Sequence, residues 1–317
     1  MTSERATSGA APTPDGIDVL VLGGAGVDTI VYVPQLPLPP ADSHLVPAIE
    51  SRAGQTGDLV ALGTHTLGLR THHLDLLGDD QAGDLVRAFH AEHGIPLTEA
   101  PLANGTKRAV NLVAPDGRRL SLYDGSRAPD TERLPAAALA DLAARSRHAH
   151  VSITQPCALA LPALRAAGLT VSTDLHDWDG ANPYHETFAL AADLVFLSTA
   201  ALTDPERTMR RIAADGRAEV VVAMAGEAGA WLLVDGQLSR VPAVAPPEPV
   251  VDSNGAGDAF VSAFLFGWLT GEPARVCGRY GAVAGGHACT VPANRTGAIG
   301  RPELLARAAE LAVPTGP

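Results

Sequence analysis

Lysine is nearly absent from this sequence of 317 residues: Lys107 is the only one, and it sits in "NGTKRAV", far from any glycine run. A P-loop needs its lysine directly after a glycine-rich turn, so that route to nucleotide binding is excluded. Basic residues are outnumbered, 23 lysines and arginines against 35 acids, for a formal charge of -12. Nucleic acids and anionic membranes are gripped by basic patches, and this balance argues against both as partners. The three cysteines, Cys157, Cys277 and Cys289, form no close pair and no metal-ligand spacing. An odd count also argues against a disulfide framework, and a reducing cytoplasm is the expected location. No apolar run reaches the roughly 18 residues of a membrane span. The opening "MTSERATSGAAPTPDG" lacks the apolar centre of a signal peptide, so residues 1–16 are expected to form a disordered leader. Aromatic residues make up only 4% of the chain against 46% hydrophobic. Apolar mass drawn from Ala, Leu and Val suits helices packed on a parallel sheet, which is an α/β fold.

What is present alternates. Strand-like runs at Asp18–Gly23, Thr71–Gly78, His148–Ile153, Leu169–Asp174, Asp193–Ser198 and Ala218–Met224 are separated by Ala- and Leu-rich helical stretches. That order predicts a mostly parallel sheet with helices on both faces. Two segments break it, residues 31–51 and 105–125; the second holds two β-rich runs around "PDG", a hairpin signal. Both are expected to form a small β lid over a core made of 17–30, 52–104 and 126–317. His72 and His73 are consecutive on a strand, point to opposite faces and cannot chelate one ion together without distortion, so they read as satisfied histidines.

The most informative stretch is "VDSNGAGDAFVSAFLFGWLTG", Val251 to Gly271. Its second part is a helix with apolar side chains on nearly every face, which must be buried. A buried helix start exposes unpaired amides, and glycine at 255 and 257 removes the side chains that would keep an anion from them. Asp258 competes with such an anion unless it serves as a general base. It would then take the proton of a substrate hydroxyl while the amides of Ala256, Gly257 and Asp258 meet the charge on a transferring phosphoryl group. The plainer reading is an N-cap at Ser253 or Asn254 with Asp258 complementing the helix dipole. A dinucleotide fingerprint at "GGAGVD" fails, because Thr29 stands where the third glycine belongs.

"VVDSNGAGDAFVSAFLFGWLTG" resembles the C-terminal signature of the ribokinase-like, or PfkB, family of carbohydrate and nucleoside kinases, D-[TS]-x-G-A-G-D-x-F. "GGAGVDTI", "LLGDDQAG" and "VVVAMAGEAGAWLL" are similar to three further family segments. The resemblance implies a three-layer α/β sandwich with a β-sheet lid, ATP and Mg²⁺ as cofactors, and in some members K⁺. It implies Asp258 as catalytic base and Gly255, Ala256 and Gly257 as the anion hole. Asp252 and Asn254 would lie at a monovalent-cation site. Gly226, Glu227 and Gly229 would border the nucleotide, with Asn254 beside it and His287 and Val291 as candidates for the adenine wall. Asp28, Gly54 and Asp58 would hold the substrate. Family members often dimerise through the lid, and a homodimer is expected here.

Two departures stand out. The family's G-G-x-x-x-N segment is represented by "RAGQTGDLVALG", with Ala53 for the first glycine and Asp58 for the asparagine. Its N-x-x-E motif, which helps organise Mg²⁺, is replaced by Ser198-Thr-Ala-Ala201, and Asp174 is the best-placed substitute. The sequence therefore predicts an ATP-dependent kinase acting on a primary hydroxyl of a sugar or sugar-like polyol. A nucleoside kinase of the same fold, and a catalytically weak sugar- or nucleotide-binding regulator, stay open beside it.

Overall fold

A computed structural model describes residues 16–128, 131–292 and 297–311; apart from Gly16, the expected leader lies outside them. Thirteen strands follow in chain order: β1 (Ile17–Leu22), β2 (Val27–Tyr32), β3 (Ile49–Ala53), β4 (Thr71–Leu77), β5 (Leu97–Pro101), β6 (Arg108–Val113), β7 (Arg119–Tyr123), β8 (Ser146–Val151), β9 (Thr170–Asp174), β10 (Leu194–Ser198), β11 (Val220–Met224), β12 (Ala230–Val234) and β13 (Gln237–Val241). Between and after them run α1 (Thr56–Thr66), α2 (Gln81–His93), α3 (Ala136–Ala144), α4 (Gln155–Ala166), α5 (Pro183–Ala191), α6 (Pro205–Asp215), α7 (Ala256–Leu269), α8 (Ala274–Ala288) and α9 (Arg301–Glu310).

Nine strands form one sheet in the order β13-β12-β11-β10-β9-β8-β1-β4-β5. All six expected strands lie in it. Their pairings are parallel, and only β11–β12 and β12–β13 are antiparallel. Strand β1 shows why the sheet sits at the centre: every residue is buried, with Val19 and Val21 in the core on one face and Leu20 and Leu22 in the core on the other. A strand covered on both sides needs helices on both sides. The β12–β13 hairpin turns at Asp235-Gly236, both with positive φ (48° and 73°), the backbone a two-residue turn of this kind requires.

Helix α7 is the apolar helix expected from the sequence, with Phe260 to Gly267 buried. It lies between α1 and α8, and Phe264 meets Phe196 of β10 edge-on at 5.2 Å. Its position is therefore fixed by packing on three sides.

The second sheet has four strands in the order β3-β2-β6-β7. Its boundaries differ from those expected. The chain leaves the core at the glycine turn Gly23-Gly24, where φ is 73° and 75°, so β2 already begins at Val27 and β3 ends at Ala53. Asp28 and Arg52 consequently stand on the small sheet as a cross-strand pair.

Candidate active site

The site is built around the N-terminus of α7. Gly255 is its N-cap residue with φ 78°, a left-handed conformation that glycine adopts without steric cost, and no side chain caps the helix. Ser253 and Asn254, the capping residues of the plainer reading, are engaged elsewhere: Ser253 Oγ faces the carbonyl of Gly117 at 3.5 Å, and Asn254 Oδ1 accepts from Arg119 at 2.8 Å. The Ala256 amide turns back to the Ser253 carbonyl at 3.3 Å, so it is the one expected anion-hole donor with a weak internal partner. Among the described residues, the amides of Gly255, Gly257 and Asp258 take no acceptor. Uncapped amides at a helix start are a ready anion site.

Asp258 stands in the first turn of α7. Burial pushes its carboxyl up to about 7; His176 and Arg119 work against that shift, Asp174 and Asp28 with it. A base poised near neutrality suits proton transfer from a hydroxyl. Asp174 ends β9, is buried, and accepts the amide of His176 at 2.9 Å. Its Oδ2 lies 3.9 Å from where a Cβ on Gly257 would be, so it faces the start of α7.

From the small sheet, Asp28 reaches the same region. It is buried, accepts from Gln55 Nε2 at 3.2 Å, and has its carboxyl raised to about 6 by burial against the opposing charge of Arg52. Arg52 is tucked beneath Gly54, donating to the carbonyls of Ala53 and Gly54 at 3.3 and 3.4 Å. Gly54, with φ 133°, leaves room for that guanidinium, which a Cβ there would approach within 2.1 Å. Burial lowers the Arg52 pKa, while Asp28, Asp258, Asp252 and Asp58 all favour its charge. Arg52 is thus a cation set among the acids of the site.

Behind the helix start, Asp252 is 1% exposed; Oδ1 accepts the Asn254 amide at 2.6 Å, while Oδ2 is buried with no hydrogen-bond partner. An orphaned buried carboxylate oxygen fits a small cation. At the end of β11, Gly226 and Glu227 form an exposed turn and Gly229, with φ 88°, packs under Val241. Val291 lines a cavity with Gly255, Ala259 and Ala284. His287 instead faces α9, with Nδ1 3.5 Å from both Glu303 and Arg307.

Asp58 requires a correction. It is fully buried and both oxygens are occupied: Oδ2 accepts the Gly26 amide at 3.0 Å and Oδ1 accepts from His90 Nε2 at 2.9 Å, leaving nothing for a substrate. Asp58, His73 and His90 place three ligand-type atoms within 4.8 Å of one another. The protons account for the cluster. His73 Nε2 donates to the Gly23 carbonyl at 2.9 Å, so its Nδ1 is an acceptor, 3.3 Å from His90 Nε2. One proton on His90 Nε2 then serves both neighbours. The triad thereby holds the Gly23–Gly26 turn that aims β2 and Asp28. His72, on the opposite face, bonds Thr98 at 2.8 Å.

Arg52, Arg119 and Gln55 were not singled out by the sequence. Arg108 and Arg127, which border the hairpin, are paired with Asp124 and Asp80.

The family model described as pfkB family carbohydrate kinase matches residues 17–298. The chain is 63% identical over 294 residues, 92% of its length, to an acarbose 7(IV)-phosphotransferase from Actinoplanes sp., of which it covers 98%. It is 28% identical over 218 residues to fructoselysine 6-kinase from Escherichia coli, covering 67% of this chain and 80% of that one. Among solved structures, the microbiome-derived acarbose kinase Mak1 aligns with a TM-score of 0.86 at 44% identity, covering 93% of this chain and 99% of Mak1. Ribokinase from Thermotoga maritima, at 16% identity and a TM-score of 0.76 over 92% of this chain and 98% of that one, shares the fold. With the nine-stranded sheet, the separate four-stranded sheet and the G-A-G-D helix start on the page, the chain belongs to the pfkB family and is an ATP-dependent carbohydrate kinase.

Proposed function

We propose that this kinase transfers the γ-phosphoryl group of ATP to a primary hydroxyl of acarbose or a closely related carbohydrate. The observation that carries the transfer chemistry is the uncapped start of α7 with Asp258 in its first turn. The acceptor is argued from the 63% identity to the Actinoplanes enzyme.

Asp28, steadied by Gln55, holds hydroxyls of the acceptor from the small sheet. Asp258 takes the proton of the reacting hydroxyl as it attacks. The amides of Gly255, Gly257 and Asp258 receive the charge that spreads over the moving phosphoryl oxygens, and closure of the small sheet keeps water from competing. Arg52 and Arg119 lend positive charge from either side. Gly226, Glu227 and Gly229 border the nucleotide. Asp174, buried and facing the start of α7, is the residue that would hold Mg²⁺ with its waters, and the ion would supply neutralisation of the phosphate oxygens. Asp252 Oδ2 and the Asn254 carbonyl would hold K⁺ behind the helix start. Free Cys157, Cys277 and Cys289 suit a reducing cytoplasm, where ATP is available.

The test is ADP release from Mg-ATP across acarbose, pentoses, hexoses, their phosphates and nucleosides, with and without K⁺. Acarbose is expected to stimulate turnover most, and K⁺ to raise the rate severalfold. A nucleoside or monosaccharide outperforming acarbose would overturn the acceptor, and indifference to K⁺ would remove Asp252 from that role.

The outer face of the small sheet favours a homodimer. Its cross-strand row Ile49, Val31, Leu112 and Leu120 is apolar, and Leu122 extends it; Ile49, Leu120 and Leu122 are 65%, 49% and 53% exposed. Light scattering at micromolar concentration should return twice the chain mass, and Leu120→Asp should return the monomer. A monomeric wild type would end the proposal.

A further inference from the structure

The inner face of the small sheet carries a side chain that the chemistry above does not use. Register places Arg52, Asp28, Ala109 and Tyr123 side by side across β3, β2, β6 and β7. Side chains in one such row share a face, so Tyr123 points to the same side as Asp28. Ala109 between them is small, and two strand spacings, about 10 Å, separate the strands that carry the carboxylate and the phenol ring. Arg119, four residues earlier on β7 and so on the same face, reaches Asn254 beside the start of α7 at 2.8 Å, so the face that carries Tyr123 is turned to the cleft. Tyr123 is 77% exposed there. In a chain with only four tyrosines, an aromatic ring standing open on the inner face of a lid needs an occupant.

We infer that Tyr123 forms the floor of a subsite for a second ring of the acceptor, outside the ring held at Asp28. The Tyr123 face would take the apolar C–H face of a sugar ring. The subsite selects acceptors of two or more rings, and it rests on the acarbose reading above. Tyr123 touches no reacting atom. Its loss therefore weakens acceptor binding and leaves the chemical step in place, a pattern that general damage to the fold would not give.

The experiment measures acarbose binding by calorimetry and steady-state kinetics for wild type, Tyr123→Phe and Tyr123→Ala. Tyr123→Ala is expected to bind acarbose about tenfold more weakly, with the same rise in KM and kcat within about twofold. Tyr123→Phe keeps the ring and should match wild type. KM for ATP and the melting temperature should not move, because the ring is exposed. Tyr123→Ala binding acarbose as tightly as wild type overturns the subsite and leaves the acceptor reading standing. A wild type that turns over a monosaccharide but neither binds nor phosphorylates acarbose overturns the acceptor reading and the subsite with it.

Discussion

Asp258→Asn is expected to lower turnover about 10³-fold while ATP still binds. The substitution keeps size and shape at the first turn of α7, so the open amides beside it stay in place and only the proton acceptor is lost. Loss of more than acceptor-stimulated turnover, such as loss of nucleotide binding, would point to a packing role instead. The wild-type pH profile is the companion measurement. Because the carboxyl titrates at about 7 in the folded protein, acceptor-stimulated kcat/KM should fall about tenfold per pH unit below that point. A profile flat from pH 5.5 to 8 would remove Asp258 as base.

Stability should move the other way. The folded-state pKa lies above the ordinary value of 3.8, so the folded chain binds the proton more tightly than the unfolded chain. The protonated group's contribution is full below 3.8 and is lost as pH rises through about 7. Asparagine is neutral throughout. The variant should therefore melt above wild type at pH 8, with the gap closing as pH falls toward 4. The base is held at a cost in stability, as functional groups often are.

Lys107→Met should cost about 3 kcal/mol of unfolding free energy. The single lysine immediately precedes β6, and its ammonium lies 2.9 Å from Asp75 Oδ2, with the two side chains only 13% and 3% exposed. Asp75 also accepts the amides of Ala25 and Leu76, both at 2.7 Å. Those bonds soften the loss, but the carboxylate would remain buried without its cation. Asp75→Asn added to Lys107→Met should recover part of the deficit by removing the orphaned charge. Equilibrium denaturation decides it: a single variant within 0.5 kcal/mol of wild type, a threshold set by ordinary surface substitutions at about that size, would show the pair to be incidental. The acceptor KM should also rise. The ion pair ties β4 to the point where the chain enters the small sheet, and the Lys107 carbonyl receives the Val27 amide at 3.0 Å, one residue before Asp28.

Legibility in the sequence followed the range of the interactions. Strand β1 and helix α7 could be read because their partners impose a local pattern, continuous burial in one case and an all-round apolar helix behind two glycines in the other. Strand β5, "LTEAP", could not, since an edge strand carries polar residues and no period. Asp258, Gly255 and Gly257 stood out through a compact motif. The position of Asp58 was equally visible, but its role depends on His73 and His90, brought to it by folding from other elements. Arg52 looked like any of 22 arginines until β3 paired with β2 and placed it opposite Asp28. Arg119 and Asn254 are 135 residues apart, and only the β6–β7 hairpin joins them.

The enclosure of the one lysine also sets the reactivity of the whole surface. Apart from a chain terminus, the one side-chain amine that acylating dyes, aldehydes or an acetyltransferase could attack is that of Lys107, which is 13% exposed and lies 2.9 Å from Asp75 Oδ2. Amine-coupled immobilisation would thus leave the catalytic cleft and both faces of the lid unmodified.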